Sequence, residues 1–354
     1  MAKERLAYFD NLKGILIILV VIGHLIEPIA TSDNLLSRRI VDFIYLFHMP
    51  LFIFVSGMFC KGVFRDGRYR VDVPLYYLAL CMLLYTVLQS EKVLLGTFSR
   101  FSPLTLSGSI PWYLMALTAY VMAVPVFSRL KPAWALAGSI VLAVMTGMHN
   151  PGDFLTSARI CVYLPFFLAG YYLQSASVEG FLFRLQEKRL LTVARVGAAA
   201  VLAGIFGLLC TVGPDGLVFL KKLFTARNSY ATILDASGMS FSLWAMAAIR
   251  FAYYFAVAAA SACVMLLVPR RKLGPVTRAG ERSLQVYFMH PMVYYALNAF
   301  SFGAWLDAVL PEIGCLVVLI GGGCALALIL AAPAWPQRIF DKVRHLAGKL
   351  AVAS

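Results

Sequence analysis

Long apolar runs constrain this chain more than any other feature of its sequence. Stretches of about 20 residues, each long enough to cross the hydrocarbon core of a bilayer, recur from Leu12 to Ala332. Of the 354 residues, 61% are hydrophobic and 14% are charged, which is too apolar for an ordinary soluble domain. Because the runs are continuous rather than alternating, they predict spanning helices and no spanning β-barrel.

The predicted fold is all-α, a polytopic transmembrane helical bundle of about ten spans. The predicted spans are 12–30, 40–60, 73–88, 111–128, 133–148, 158–175, 193–212, 239–268, 283–302 and 313–333. The sequence also predicts one integral-membrane domain over 1–335 and a basic cytoplasmic tail over 336–354, which lies on the inner membrane surface.

The net charge of +14 is distributed unevenly along the chain. Most Lys and Arg residues fall in segments that alternate spans place on the same side as the N-terminus, so both termini are predicted to be cytoplasmic. Topology and attraction to anionic membrane lipid account for most of this charge, and nucleic acid is not an expected partner. Some inner cations, among them Arg65, Arg68 and Arg70, are candidates to bind a phosphorylated cytoplasmic ligand.

Three histidines lie within predicted spans, where a titratable side chain is costly to bury and is a functional candidate by default. His24 lies in the middle of the first run, LKGILIILVVIGHLIEPIA, while His48 and His290 lie in the second and ninth spans. Pro50 and Pro291 follow the latter two and can open room for a ligand or water. Each imidazole could instead form only a hydrogen bond to a neighbouring helix. Because the three lie at similar depth, we expect a shared polar cavity.

Charged residues accompany these histidines. Lys13 precedes His24 by eleven residues, so both lie on one helix face, about 16 Å apart along the axis. Asp10, three residues before Lys13, contributes to the site or forms a simple ion pair. Glu27 could orient the imidazole of His24, and a role at a helix interface is an equal alternative. Arg250 is a cation within the eighth span, and either Arg250 or a second histidine, His48 or His290, is a candidate to stabilise an oxyanion.

Other chemistries lack local support. The seven cysteines lie within or beside apolar spans without a CxxC pair, and we predict that they pack as small apolar residues. No helix carries two histidines at metal-ligand spacing, so no metal is expected. The sequence has neither the G-x-S-x-G motif of an esterase nor the P-loop of an ATPase.

Several blocks of sequence resemble the acyltransferase 3 family, the integral-membrane O-acyltransferases of bacteria, and most closely its fucose 4-O-acetylase-like group. The blocks, which run from one end of the chain to the other, are RLAYFDNLKGILIILVVIGH ending at His24, LFHMPLFIFVSG around His48, PWYL at Trp112, ARICVYLPFFLAGYYL with Arg159 and GERSLQVYFMH ending at His290.

The resemblance implies transfer of an acyl group, usually acetyl from acetyl-CoA, to a hydroxyl of an extracytoplasmic glycan or related acceptor. It also implies a multi-pass protein of the bacterial plasma membrane. The family's Arg-x10-His signature falls on Lys13 and His24, so this chain has Lys where many relatives have Arg. Lys keeps the charge but loses the planar bidentate fork. Trp112 and Arg159 are assigned to the acceptor side, although Trp112 also fits an interfacial aromatic belt.

We therefore expect an O-acetyltransferase in which neutral His24 takes the proton of the acceptor hydroxyl, with Lys13 and Asp10 in the catalytic group. Lys13 and the inner arginines would attract the phosphates of the acyl-CoA donor. A transporter or flippase of a polar or lipid-linked solute is the alternative, and a purely structural membrane subunit is a third. The acceptor, the acyl group and the oligomeric state, including a homo-oligomer, stay open.

Overall fold

The computed structural model of the protein describes residues 7–98, 100–106, 110–150 and 152–352. Apart from one short hairpin and one isolated bridge, the regular structure of these residues is helical, which confirms the all-α prediction. The α-helices are α1 (Ala7–Ile26), α2 (Leu35–Phe59), α3 (Asp72–Leu94), α4 (Trp112–Phe127), α5 (Pro132–Thr146), α6 (Ser157–Tyr172), α7 (Ser175–Glu187), α8 (Leu191–Thr211), α9 (Pro214–Phe224), α10 (Tyr230–Ser237), α11 (Leu243–Leu267), α12 (Pro275–Glu281), α13 (Ser283–Ala299), α14 (Phe302–Val309), α15 (Glu312–Leu330) and α16 (Trp335–Val352).

Within the described residues, six helical segments are long and apolar enough to cross a membrane, so the chain is a multi-pass membrane protein. These segments are Ala7–Ile29, Leu35–Val63, Asp72–Leu94, Leu191–Thr211, Leu243–Leu267 and Glu312–Leu330. The other four predicted spans correspond to α4, α5, α6 and α13, which have 15 to 17 residues. Such helices rise only about 24 Å, less than the thickness of a typical hydrocarbon core. The ten-span topology and the cytoplasmic termini stay predictions.

The chain divides into two compact units. The first unit comprises the described parts of Met1–Phe52, Phe181–Leu217 and Val257–Ala334. The second unit comprises the described parts of Ile53–Gly180, Val218–Ala256 and Trp335–Ser354.

In the first unit, glycines allow helix α12 to cross α1 with the two backbones in contact. A Cβ atom at Gly14 would overlap the carbonyl oxygen of Val276, and one at Gly280 would overlap that of Asp10. Small residues at a crossing point are the usual means by which membrane helices pack closely. The crossing fixes the first turns of α1, the helix that carries His24.

In the second unit, glycines likewise allow the backbones of α2 and α6 to come into contact where the two helices cross. A Cβ atom at Gly57 would overlap the carbonyl oxygen of Phe167, and one at Gly170 would overlap that of Phe54. The same unit contains the hairpin of β1 (Phe64–Arg65) and β2 (Arg68–Tyr69), which pair antiparallel.

The turn of this hairpin follows from its two central residues. Asp66 and Gly67 have φ angles of 52° and 75°, the left-handed pair that a two-residue Asp-Gly turn favours.

The predicted tail over 336–354 is largely the helix α16, which belongs to the second unit and packs on α3. The guanidinium of Arg344 lies 4.9 Å from the ring centroid of Tyr76 on α3. Residues 1–6 and 353–354 of the predicted domain and tail lie outside the described residues. The division into a domain and a tail stays a prediction.

Candidate active site

Two of the three histidines within predicted spans meet in the first unit. Nδ1 of His24 on α1 lies 3.0 Å from Nε2 of His290 on α13. The two rings are nearly parallel, with centroids 5.2 Å apart, and the ring of Tyr294 lies 5.5 Å from that of His24. His290 is 1% exposed, whereas His24 is partly exposed. A contact between residues so far apart in sequence places α13 directly against the last turn of α1, where His24 lies, rather than in the middle of the span as predicted.

The hydrogen bonds around this pair define the tautomer of each ring. Nδ1 of His290 lies 2.9 Å from the carbonyl oxygen of Val286, which can only accept, so Nδ1 carries the proton. In a neutral ring, Nε2 of His290 must then accept, and Nδ1 of His24 must donate to it. Neutral rings are favoured because a buried charge within a membrane is costly. His24 therefore carries its lone pair on Nε2.

His48 has the same backbone hydrogen bond as His290 but a different environment. Its Nδ1 lies 2.7 Å from the carbonyl oxygen of Ile44, one turn earlier in its own helix. The Tyr45 ring lies 5.0 Å from the His48 ring, and the Tyr45 hydroxyl donates to Glu27 at 3.4 Å. Nδ1 of His24 has His290 as its partner, and the predicted role of Glu27 in orienting the His24 ring stays a prediction.

At the start of α1, Asp10 and Lys13 form the ion pair that the sequence left as an alternative. Nζ of Lys13 lies 2.9 Å from Oδ1 of Asp10, and their side chains are 21% and 4% exposed, respectively. Because the pair is largely buried, it fixes the ammonium group of Lys13 beside Asp10 in the first turns of α1, the helix that carries His24. Their predicted catalytic role stays a prediction.

Asn11 was not among the predicted site residues, and its side chain is fully buried. Nδ2 donates to the carbonyl oxygens of Pro269 and Arg271 at 2.8 and 2.7 Å. Oδ1 accepts from the Thr277 hydroxyl at 2.6 Å. Asn11 thus attaches the segment after α11 to α1. The only signal in the sequence was an amide within the first turns of an apolar helix.

The two residues assigned to the acceptor side meet in the second unit. The guanidinium of Arg159 lies 4.5 Å from the ring centroid of Trp112, close enough for a cation–π contact. Nε of Arg159 donates to the carbonyl oxygen of Thr225 at 3.0 Å, and the Tyr163 ring lies 5.6 Å from that of Trp112. An arginine stacked on an aromatic ring is a suitable surface for a polar acceptor, and that role stays a prediction.

Arg250 is 1% exposed and also belongs to the second unit. Its Nη1 donates to the carbonyl oxygen of Leu223 at 2.9 Å, and its guanidinium lies 5.5 Å from the Tyr253 ring centroid. Its Nε has no hydrogen-bond partner among the described residues. The three intramembrane histidines belong to the first unit, and the predicted oxyanion role of Arg250 stays a prediction.

The inner arginines predicted to bind the donor lie on and beside the hairpin of the second unit, whereas Lys13 belongs to the first unit. The side chains of Arg65 and Arg68 are exposed. Nη2 of Arg70 lies 2.6 Å from Oδ2 of Asp72. Hydrogen bonds to this carboxylate raise the pKa of the Arg70 guanidinium above its usual value. Arg70 is thus paired with Asp72. Nε of Arg65 lies 3.8 Å from Oδ2 of Asp66 in an exposed ion pair, while the side chain of Arg68 is exposed to solvent.

No group of three or more His, Cys, Asp and Glu side chains is placed to hold a metal ion in the described part of the chain.

A hydrogen-bonded histidine pair in a helical membrane protein defines a class of site suited to proton transfer. The chain matches the family model described as "Acyltransferase domain" over residues 6–332, which is nearly its whole length. The protein therefore belongs to the acyltransferase 3 family. This membership confirms the resemblance and favours an enzyme over a transporter or a structural subunit.

Two curated relatives share shorter stretches with the chain. One is the nodulation protein NolL of Sinorhizobium fredii (strain NBRC 101917 / NGR234), 34% identical over 159 residues, which cover 41% of this chain and 43% of NolL. The other is the nodulation protein NolL of Mesorhizobium japonicum (strain LMG 29417 / CECT 9101 / MAFF 303099), 36% identical over 88 residues, 22% of this chain and 24% of that protein. The alignments thus span less than half of these relatives. No solved structure matches the chain.

Proposed function

We propose that the protein is an O-acetyltransferase of the bacterial plasma membrane, which moves an acetyl group from cytoplasmic acetyl-CoA to a hydroxyl of an extracytoplasmic glycan or related acceptor. The hydrogen bond between His24 and His290 carries this proposal, because it leaves the lone pair of His24 on Nε2. An acceptor hydroxyl needs such a base before it can attack a thioester.

In this mechanism, Nε2 of His24 takes the proton of the acceptor hydroxyl as the oxygen attacks. The acyl-CoA supplies the thioester carbonyl and a thiolate leaving group. The imidazolium of His24 then returns the proton to the departing sulfur, which restores the neutral ring. Proton transfer of this kind contributes about 10²- to 10⁴-fold to the rate of an enzyme.

His290 supports this step as a positioning residue. Its Nε2 accepts from Nδ1 of His24, which holds the ring in the correct tautomer and orientation. When His24 becomes protonated, this hydrogen bond becomes charge-assisted and stronger. The backbone carbonyl of Val286 holds His290 in turn, since it accepts from Nδ1. This arrangement has the same logic as the third member of a catalytic triad, with an imidazole in place of a carboxylate.

The family membership supports acyl transfer. Arg159 and Trp112, which are in cation–π contact, stay candidates for the acceptor side. A membrane setting gives the enzyme access to lipid-linked acceptors. Whether it acts as a monomer or a homo-oligomer does not enter this mechanism.

Mass spectrometry of surface glycans tests this proposal. The glycans of a strain that lacks the gene, carrying either the intact protein or the His24→Ala variant, are compared. We expect the intact protein to restore the mass of an acetyl ester and His24→Ala to restore none, although it reaches the membrane in equal amount. Full acetylation by a folded His24→Ala protein would refute the proposed base.

A further inference from the structure

An open cavity of about 600 Å³ lies in the first unit, at the C-terminal end of α7, the start of α8 and the segment after α11. Four of its lining residues are arginines, Arg189, Arg195, Arg270 and Arg271, and none is acidic. Its volume is within the range of small-molecule sites. A cavity with four cations and no anion in its wall is suited to a ligand with several negative charges.

Two of the four arginines already form hydrogen bonds within the protein through their side chains. Arg195 donates to the carbonyl oxygens of Leu266 and Val268 at 3.1 and 3.4 Å, and Arg270 donates to the Gln186 amide at 3.0 Å. These bonds hold two of the guanidinium groups in place.

The side chains of Arg189 and Arg271 have no hydrogen-bond or ion-pair partner among the described residues, so their donors are available to a ligand. The cavity also lies at the N-terminus of α8, where Leu191 and Thr192 line it and no side chain caps the helix. Backbone N–H groups at such an end favour phosphate oxygens.

One wall of the cavity is fixed to the helix that carries the proposed base. The carbonyl oxygens of Pro269 and Arg271 both accept from Asn11, thirteen residues before His24 on α1. That separation is about 20 Å along the helix axis. A ligand with phosphates at one end and a reactive group on a long arm has the shape that such an arrangement would require.

We infer that this arginine cavity binds the phosphate groups of the nucleotide end of acyl-CoA. The inference rests on the proposed acyl transfer and adds the site that holds the donor. A membrane lipid headgroup offers the same phosphate chemistry but usually a single phosphodiester, which would engage only part of a four-arginine wall.

The test uses the purified full-length protein in neutral detergent, with surface glycan from the strain that lacks the gene as the hydroxyl acceptor. It measures thiol release from acetyl-CoA and from S-acetyl-N-acetylcysteamine, a thioester without phosphates. In the double variant Arg189→Gln/Arg271→Gln we expect KM for acetyl-CoA to rise at least about tenfold, the effect of losing charge-assisted hydrogen bonds. The kinetics with the phosphate-free thioester should stay unchanged, which shows that the variant is folded. Lys272→Gln removes a neighbouring charge that does not line the cavity, and it should leave the kinetics with both thioesters unchanged.

A second measurement separates this inference from the proposed function. Binding of adenosine 3′,5′-bisphosphate is measured by calorimetry, and we expect the double variant to lose it while His24→Ala keeps it. An enzyme inactive toward both thioesters would contradict the proposed function, yet the calorimetry would still test the cavity. An acetyl-CoA KM within twofold of the intact protein, with unchanged bisphosphate binding, would overturn the inference. The inference would also be overturned if the double variant in nanodiscs no longer bound phosphatidylglycerol, while its KM for acetyl-CoA and its bisphosphate binding stayed unchanged. The cavity would then bind lipid headgroups.

Discussion

Substitution of His290 separates its proposed role as a hydrogen-bond acceptor from its role in packing. The side chains of Gln and Met have similar length, but only Gln offers an oxygen near the position of Nε2. His290→Met removes the acceptor 3.0 Å from Nδ1 of His24. In the transition state this bond is made to a developing imidazolium, and hydrogen bonds to charged groups contribute about 1.5–3 kcal/mol. The loss corresponds to a reduction of about 10- to 150-fold in kcat.

The assay compares kcat and KM for acetyl-CoA in the intact protein, His290→Met and His290→Gln. We expect His290→Met to lower kcat within that range with little change in KM, because the bond strengthens only as His24 is protonated. His290→Gln should recover part of the loss. Thermal unfolding in detergent controls for damage to the fold. A folded His290→Met protein with the intact kcat, or equal losses in both variants, would refute the positioning role.

Two further predictions concern the helix that carries His24. Gly280→Ala places a methyl group against the backbone of Asp10, and we expect it to destabilise the protein by about 1–3 kcal/mol in detergent unfolding. Gly322→Ala, where a Cβ atom would meet no described atom within 4 Å, is the matched control and should be neutral or slightly stabilising; equal effects would contradict the crossing argument. Lys13→Met leaves the buried carboxylate of Asp10 without this ion-pair partner and should cost about 2 kcal/mol in the same measurement, whereas Lys13→Arg should keep both stability and activity. An unaffected Lys13→Met protein would show that the pair contributes nothing to stability.

The sequence predicted the helical fold because its signal is local. Each of the ten predicted spans coincides largely with a helix, since apolar run length is read from neighbouring residues alone. The short helices α4, α5, α6 and α13 mark the limit of that signal, because run length does not settle whether a helix of 15 to 17 residues crosses the bilayer.

Contacts between distant segments could not be read in this way. His24 and His290 were both identified as buried titratable residues, but their pairing joins positions 266 residues apart. Glu27 was a candidate to orient His24 because it is close in sequence, whereas the contact with His290 is made by the tertiary fold and could not be read from neighbouring residues. Asn11 was overlooked for the same reason, since its partners lie more than 250 residues away. The arginine cavity likewise combines α7, α8 and the segment after α11, whose charges appear separately in the sequence.

Nitrogen-15 NMR of the histidine side chains tests the central claim most directly, because the chemical shift of each ring nitrogen reports whether it carries a proton. In the protein labelled at histidine and embedded in lipid, we predict a protonated Nδ1 and an unprotonated Nε2 for His24, assigned by loss of the signals in His24→Ala. We predict the same tautomer for His290. A proton on Nε2 of His24 in the resting enzyme would contradict the account, because that ring could not accept the proton of an acceptor hydroxyl there.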